Sequence, residues 1–103
     1  MNKIYIGFWA QNNEEPTLDF PDPRYFVVKN WDQKEKQKVI SYLKKGDVCG
    51  AMKGCSYCRI CDITNGSEEL TDGKYLWPSG FVHYLEAHNV KPIQEFIDHV
   101  LSK

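Results

Sequence analysis

Residues 54–61 read Gly-Cys-Ser-Tyr-Cys-Arg-Ile-Cys and place three cysteines at a regular spacing of three. These cysteines are Cys55, Cys58 and Cys61. Two histidines, His83 and His88, follow later in the chain. Because Cys thiolates and His nitrogens are the usual ligands of tetrahedral zinc sites in proteins, this combination predicts a metal site. We expect the rest of the chain to fold around it.

One set of four side chains fits a tetrahedral zinc ion best. It consists of Cys58, Cys61, His83 and His88. A Cys-x-x-Cys turn presents two sulfurs from one tight knuckle, and the spacing of the two histidines is one that structural zinc sites use. A regular helix rotates by about 140° over five residues, so His88 can share an ion with His83 only at or beyond the helix end. Asn89 is typical of such an end.

Other ligand sets stay open. Cys55, Cys58, Cys61 and His83 could form a site with three cysteines and one histidine, with His88 at the surface. Cys49 could replace one ligand, although a cysteine among small and apolar residues is more often a buried packing residue. Three cysteines at this spacing are also compatible with an iron–sulfur cluster, but the Cys-Pro pair of the ferredoxin motif is absent.

Two interpretations of the cysteines need no metal. A redox dithiol is expected to open a helix, because the helix dipole lowers the thiol pKa. Cys61 instead leads into Asp-Ile-Thr-Asn-Gly, which predicts a turn. In the second interpretation, the cysteines and histidines only pack together. The close spacing of the cysteines and the two downstream histidines favour a metal over both.

The length and composition predict one folded domain over residues 1–103, with a metal-binding half at about residues 47–103. The net charge of −1 argues against a generally basic nucleic-acid binder. No signal-peptide pattern and no apolar run of membrane-spanning length occurs, so we expect a cytoplasmic protein. In that reducing compartment, four cysteines favour metal binding over disulfides.

The residue patterns predict an α+β fold with short antiparallel strands, a hairpin and about three helices. In the first half, residues 3–10 are predicted to form a strand, residues 11–24 a proline-containing loop, and residues 25–29 a short extended segment. Asp32 is typical of a helix N-cap, and Gly46 marks the stop of that helix.

The second half is predicted to contain the hairpin and two helices. Residues 47–53 are expected to form a strand, residues 62–67 a turn at an Asn-Gly pair, and residues 69–77 a hairpin around Asp-Gly. We interpret Asp62 and Asp72 as turn residues rather than functional acids.

Two helices are predicted to follow the hairpin. Ser79 is a candidate cap for the first helix, over residues 80–87, and Pro92 opens the second. The second has the clearest helical pattern in the chain. Its apolar residues are Ile93, Phe96, Ile97, Val100 and Leu101.

Several charged and aromatic residues are candidates for contacts outside the metal site. The helix over residues 32–45 carries Lys34, Lys36, Lys38, Lys44 and Lys45. A solvated face is the simpler interpretation, and an acidic partner or nucleic acid is the alternative, with Tyr57 and Trp77 stacking on bases. Arg59 could contact a partner or cover the sulfurs as a lid. His99 is predicted to lie at the surface.

Residues 56–61, 65–66 and 69–88 resemble a family of small bacterial proteins of unknown function. The shared pattern is Cys-Arg-x-Cys followed by Leu-Thr-Asp-Gly-x-Tyr-x-Trp-Pro-x-Gly-x-x-His-Tyr-x-x-x-His. The resemblance covers about the second half of the chain, with a weaker likeness over residues 31–46. It implies the ligands Cys58, Cys61, His83 and His88. It also implies an aromatic residue at the position of Cys55, which argues against that cysteine as a ligand.

The favoured function is that of a non-enzymatic, cytoplasmic protein with a closed structural Zn²⁺ site, acting through contact with another protein. One alternative is a nucleic-acid-binding zinc protein that uses the helix over residues 32–45. Another is an enzyme, with an open zinc site of three protein ligands and a water, or with a Cys–His nucleophile pair. The sequence contains no glycine-rich phosphate loop, His-Glu-x-x-His motif or serine nucleophile elbow.

Overall fold

The computed structural model describes residues 3–18 and 20–103, and for residues 52–55 it describes the backbone alone. In these residues, a four-stranded sheet packs with three α-helices. The strands are β1 (Ile4–Tyr5), β2 (Asp47–Tyr57), β3 (Thr64–Thr71) and β4 (Tyr75–Pro78). The helices are α1 (Gln33–Lys44), α2 (Phe81–His88) and α3 (Gln94–Leu101). The predicted α+β class is confirmed.

The sheet order is β1-β4-β3-β2, with β1 parallel to β4 and the other two pairs antiparallel. The predicted hairpin is the β3–β4 pair, in which Leu70 lies opposite Trp77. Its turn forms because the Asp72 carboxylate accepts hydrogen bonds from the backbone N–H groups of Lys74 (3.0 Å) and Tyr75 (2.7 Å). Gly73 takes the left-handed φ of 102° that this turn requires.

The link between β2 and β3 differs from the prediction. Strand β2 continues to Tyr57, and the chain reverses before Thr64, so the predicted turn over residues 62–67 is wrong. Asp62 supplies the left-handed residue of the reversal, with φ 62°. Gly66 lies within β3, where a Cβ atom would collide with the Ser79 hydroxyl. This glycine is therefore required within the strand, for the close approach of Ser79 and for its φ of 139°, and not for a turn.

Helix α1 begins as predicted, because the Asp32 carboxylate accepts a hydrogen bond from the Glu35 N–H at 2.8 Å. It buries Val39, Ile40 and Leu43. The helix ends at a C-cap, Lys45, with ordinary right-handed dihedral angles. Gly46 therefore does not end the helix through a left-handed conformation. A Cβ at Gly46 would lie 2.6 Å from the buried ring of Trp77, so packing requires glycine there.

The last two helices form as predicted, except at the N-cap of α2 and at the start of α3, which begins at Gln94 rather than at Pro92. Gly80 occupies the N-cap of α2 without a side-chain hydrogen bond, and the Ser79 hydroxyl instead accepts a bond from the Glu68 N–H at 3.2 Å. Helix α2 ends at His88 because Asn89 adopts the left-handed conformation, with φ 54° and ψ 34°. Helix α3 buries Phe96, Ile97 and Val100.

The N-terminal segment is less regular than predicted. The strand over residues 3–10 is reduced to Ile4–Tyr5, which pairs with β4. The extended segment predicted over residues 25–29 is confirmed at Val27, which is extended and forms a β-bridge with Val90. It is wrong for the two residues before it, because Pro23–Phe26 form a 3-10 helix capped by the Asp22 carboxylate. Proline at the first position of this turn is pre-organised for a helical φ, which favours the 3-10 helix.

Two clusters of buried side chains form the core. The larger joins β4 to all three helices and includes Trp77, Leu43, Leu85 and Phe96. The smaller consists of Cys58, Tyr84 and Val90, with Trp9, Phe26 and Ile60 packed against it. One cysteine of the predicted metal site is therefore part of the core, between the β2–β3 link and α2.

Candidate metal centre

The structure brings together the four side chains of the favoured ligand set. One ligand atom each from Cys58, Cys61, His83 and His88 lies within 4.8 Å of the other three. The β2–β3 link supplies both sulfurs, and α2 supplies both imidazoles. Such a cluster could hold a metal ion, and it is formed by residues that are far apart in the sequence.

The link that carries the cysteines is held by its own backbone. The Cys58 carbonyl accepts a hydrogen bond from the Asp62 N–H, and the Cys58 N–H donates to the Ile63 carbonyl, both at 2.9 Å. The Ile60 N–H points at the Cys58 sulfur at 3.4 Å. This is the arrangement of a knuckle, in which backbone N–H groups surround a sulfur that can carry negative charge.

The two cysteines differ in their exposure. Cys58 is fully buried and Cys61 is exposed. Burial raises the pKa of the Cys58 thiol, while the N–H groups of Cys61 and Ile60 act in the opposite direction. A buried thiolate is stable only with a positive partner, and a metal ion at the centre of the cluster would supply it.

The histidines occupy the two ends of α2. His83 lies in its first turn, with Nε2 at 3.2 Å from the Cys61 sulfur, and His88 is its last residue. The centroids of the two imidazole rings are 5.2 Å apart, and the ring planes are nearly perpendicular. The expectation that His88 lies at the helix end, where it can share an ion with His83, agrees with this geometry.

His88 carries a polar atom that the described residues leave unpaired. Its Nε2 is buried and has no hydrogen-bond partner among them. Burial, and then the neighbouring His83, lower the pKa of His88, which favours the neutral imidazole. A neutral imidazole nitrogen with a free lone pair is the form that binds a metal.

Arg59, between the two cysteines, binds the N-terminal segment. Its Nε donates to the Ala10 carbonyl at 3.1 Å, and its Nη1 donates to the Tyr57 carbonyl. The backbone N–H of Arg59 donates a hydrogen bond to the Tyr84 hydroxyl at 2.8 Å. The prediction of a lid over the sulfurs is therefore wrong, because these bonds connect the knuckle to residue 10 and to α2.

Cys49 and Cys55 are the two cysteines outside the favoured ligand set. Cys49 is exposed on β2 and outside the cluster, so the prediction that it is buried is wrong. The side chain of Cys55 lies outside the described residues, and the prediction that it is a bystander stays a prediction. Cys61 is followed by β3 rather than by a helix, so the thiol-activating geometry of a redox dithiol is not formed.

A second polar cluster was not foreseen. His99 was predicted to lie at the surface, but its Nε2 is 2.7 Å from the Asp72 carboxylate, which also accepts a hydrogen bond from the Tyr42 hydroxyl. The side chains of His99 and Asp72 are only 15% and 11% exposed. His99 follows Phe96 by three residues and so shares the buried face of α3, which is the signal that the sequence offered.

Two features of the proposed nucleic-acid surface are changed by the structure. Lys36 is buried, and its ammonium group donates to the Asn89 side chain at 2.6 Å, so it is absent from the exposed lysine face. Trp77 is fully buried and cannot stack on a base, whereas Tyr57 is exposed. The lysine face of α1 is therefore smaller than the sequence suggested.

The fold and the four side chains define a small α+β protein with a Cys2His2 cluster that could hold a metal ion. Comparison with protein-family models, with characterised proteins and with solved structures found no match to this chain. The resemblance to small bacterial proteins therefore stays a prediction. None of the described helices combines the length and the apolar character that crossing a membrane would require.

Proposed function

We propose that this chain is a small zinc protein in which Cys58, Cys61, His83 and His88 bind one Zn²⁺ as a structural site. The observation that carries this proposal is the approach of the four ligand atoms to within 4.8 Å of one another. Two thiolates and two imidazoles form a common ligand set of structural zinc. Iron–sulfur clusters rely mainly on thiolates, so the same set favours zinc over iron.

A structural role is supported over a catalytic one by the number of ligands. Four protein ligands complete a tetrahedron, whereas catalytic zinc keeps a position open for water or substrate. Three cavities of about 310, 420 and 200 Å³ are formed by described residues. None of the four side chains lines any of these three cavities, so none of the three is bounded by a proposed metal ligand.

The proposed ion adds to the contacts that the β2–β3 link already makes with α2. The β2–β3 link packs on α2 through Cys58 and Tyr84, two members of the smaller core cluster. A chain of this size buries a modest core, and a metal ion adds stability that packing alone does not supply. The ion would therefore hold the sheet to the helix.

The metal content of the purified protein tests this proposal. We expect about one equivalent of zinc per chain, and less than about a tenth of that in the Cys58→Ser variant. Cys49→Ser is the matched control, because Cys49 is exposed and outside the cluster, and it should keep the zinc. Equal zinc content in the two variants, or a wild-type protein that contains iron instead, would contradict the proposal.

We further propose that the protein acts in the cytoplasm, as a module that contacts another protein. Its described cysteines, Cys49, Cys58 and Cys61, are free thiols, which suits a reducing compartment. Tyr5, Leu18 and Ile93 are exposed and line one cleft of about 200 Å³. Clustered exposed apolar side chains are typical of protein-interaction surfaces.

Charge introduction in this cleft tests the interaction proposal. The reference is a partner protein that binds the wild-type chain. We expect the double variant Leu18→Glu, Ile93→Glu to bind this partner with an affinity at least about tenfold lower. The double variant Lys34→Glu, Lys38→Glu on α1 is the control and should bind that partner normally. Loss of binding in the α1 variant alone would instead support an acidic partner or nucleic acid at the lysine face.

A further inference from the structure

A cavity of about 310 Å³ lies between the loop after β1 and the β3–β4 end of the sheet. The aromatic residues Phe8, Trp9 and Phe20 line its loop side, and Tyr84 of α2 is a fourth aromatic residue on the lining. The loop is closed at its base, since the Ala10 N–H donates to the Pro21 carbonyl at 3.0 Å. A compact surface loop with ends held close together is a frequent location for binding sites.

Charged side chains of both signs line this cavity, and the described residues form no ion pair with them. The Arg59 guanidinium is one of them, and its hydrogen bonds go to backbone carbonyls. Among the described residues, no carboxylate approaches this guanidinium within 4.0 Å, and no cationic group approaches Glu14 or Glu15, which also line the cavity. Within the described part of the chain, a cation and two anions on this cavity therefore have no ion pair and could pair with a ligand.

Two buried polar atoms on the lining residues also lack partners. The indole Nε1 of Trp9 is a donor, and the Oδ1 of Asn65 is an acceptor. Neither has a hydrogen-bond partner within the described part of the chain. Leaving such a group buried and unpaired is unfavourable, so a ligand or water that bonds to it gains affinity from that bond.

We propose that this cavity binds a free aromatic α-amino acid. A carboxylate would pair with the Arg59 guanidinium, an ammonium group would pair with Glu14 and Glu15, and the ring would pack among the four aromatic side chains. The cavity volume is at the small end of the range of ligand sites, which suits a ligand of this size. This inference is independent of the zinc proposal, because none of the four candidate metal ligands lines the cavity.

The probe for this proposal is L-phenylalanine. Its binding is measured by NMR of the ¹⁵N-labelled protein as purified. We expect saturable shifts at the indole N–H of Trp9 and at the amides of Arg59 and Asn65. Phenethylamine lacks the carboxylate and 3-phenylpropionate lacks the ammonium group, and each should bind at least about tenfold more weakly. Glycine, which lacks the ring, should also bind at least about tenfold more weakly.

A pair of double variants tests the assignment of the ammonium group. Glu14→Gln, Glu15→Gln should weaken the binding of L-phenylalanine at least about tenfold but should not weaken the binding of 3-phenylpropionate, which has no ammonium group to lose a partner. Glu68→Gln, Glu95→Gln replaces two exposed carboxylates that do not line the cavity and should change neither. If L-phenylalanine causes no saturable shift up to about 10 mM, the proposal is overturned and the cavity holds water only. If the three ring-containing probes bind equally, the proposal is also overturned, because the cavity then accepts a ring without recognising the carboxylate and the ammonium group.

Discussion

Replacing Cys58 by alanine should lower the free energy of unfolding of the zinc-loaded protein by about 4 kcal/mol or more. The effect is large because Cys58 is fully buried and also supplies one of four proposed ligands. In a chain of this length, such a loss corresponds to a fall in the midpoint of thermal unfolding of about 15 °C or more. Calorimetry or circular dichroism at a fixed zinc concentration measures it.

The control separates loss of the metal from loss of packing. Cys49→Ala removes an exposed sulfur and should change the free energy of unfolding by less than about 0.5 kcal/mol. A chelator should destabilise the wild type and the Cys49 variant but have no further effect on the Cys58 variant. If the chelator leaves the thermal unfolding midpoint of the wild type unchanged, no metal ion stabilises the fold.

Replacing Asp72 by asparagine is expected to cost about 3 kcal/mol at neutral pH. The carboxylate binds four groups: the Tyr42 hydroxyl, the His99 imidazole, and the backbone N–H groups of Lys74 and Tyr75. It connects the hairpin turn to α1 and α3, so its loss weakens three elements together. Asp47→Asn is the control, because Asp47 is exposed, and it should cost less than about 0.5 kcal/mol.

The Asp72 carboxylate also makes the free energy of unfolding depend on pH in the acidic range. Burial of Asp72 alone would raise its pKa, but the hydrogen bonds from Tyr42, Tyr75, His99 and Lys74 outweigh burial and lower the pKa from 3.8 to about 2. A lowered pKa stabilises the fold above the unfolded-state value, so about 2 kcal/mol should be lost as the pH falls from about 5 to about 2.

The asparagine variant provides the comparison for this pH effect. Its free energy of unfolding should fall less steeply than that of wild type over the same interval, because it has no carboxylate to protonate there. Denaturant unfolding at a series of pH values measures both curves. Parallel curves for the two proteins would contradict the assigned role of Asp72.

The elements that were predictable depend on local chemistry. Asp32 caps α1 and Asn89 ends α2 as the sequence indicates, since a side chain or a left-handed residue controls each boundary. The placement of His88 could be derived from helical rotation alone. The hairpin at residues 69–77 forms because an Asp-Gly pair suits a tight turn in any context.

The features that were missed depend on distant packing. Gly46 is required by the Trp77 ring, and Gly66 by the Ser79 hydroxyl, and neither neighbour is close in the sequence. Glycine is typical of turns, and nothing local distinguishes a glycine that admits a neighbouring side chain. His99 was missed because its partner, Asp72, lies on a different element that only the folded chain brings near.

X-ray absorption at the zinc edge of the purified protein tests the proposed Cys2His2 site most directly. We predict one zinc with two sulfur neighbours at about 2.3 Å and two nitrogen neighbours at about 2.0–2.1 Å. These would be the ligands Cys58, Cys61, His83 and His88. A shell of three or four sulfurs would assign Cys55 or Cys49 to the site, an oxygen neighbour would indicate an open site, and absence of zinc would contradict the whole proposal.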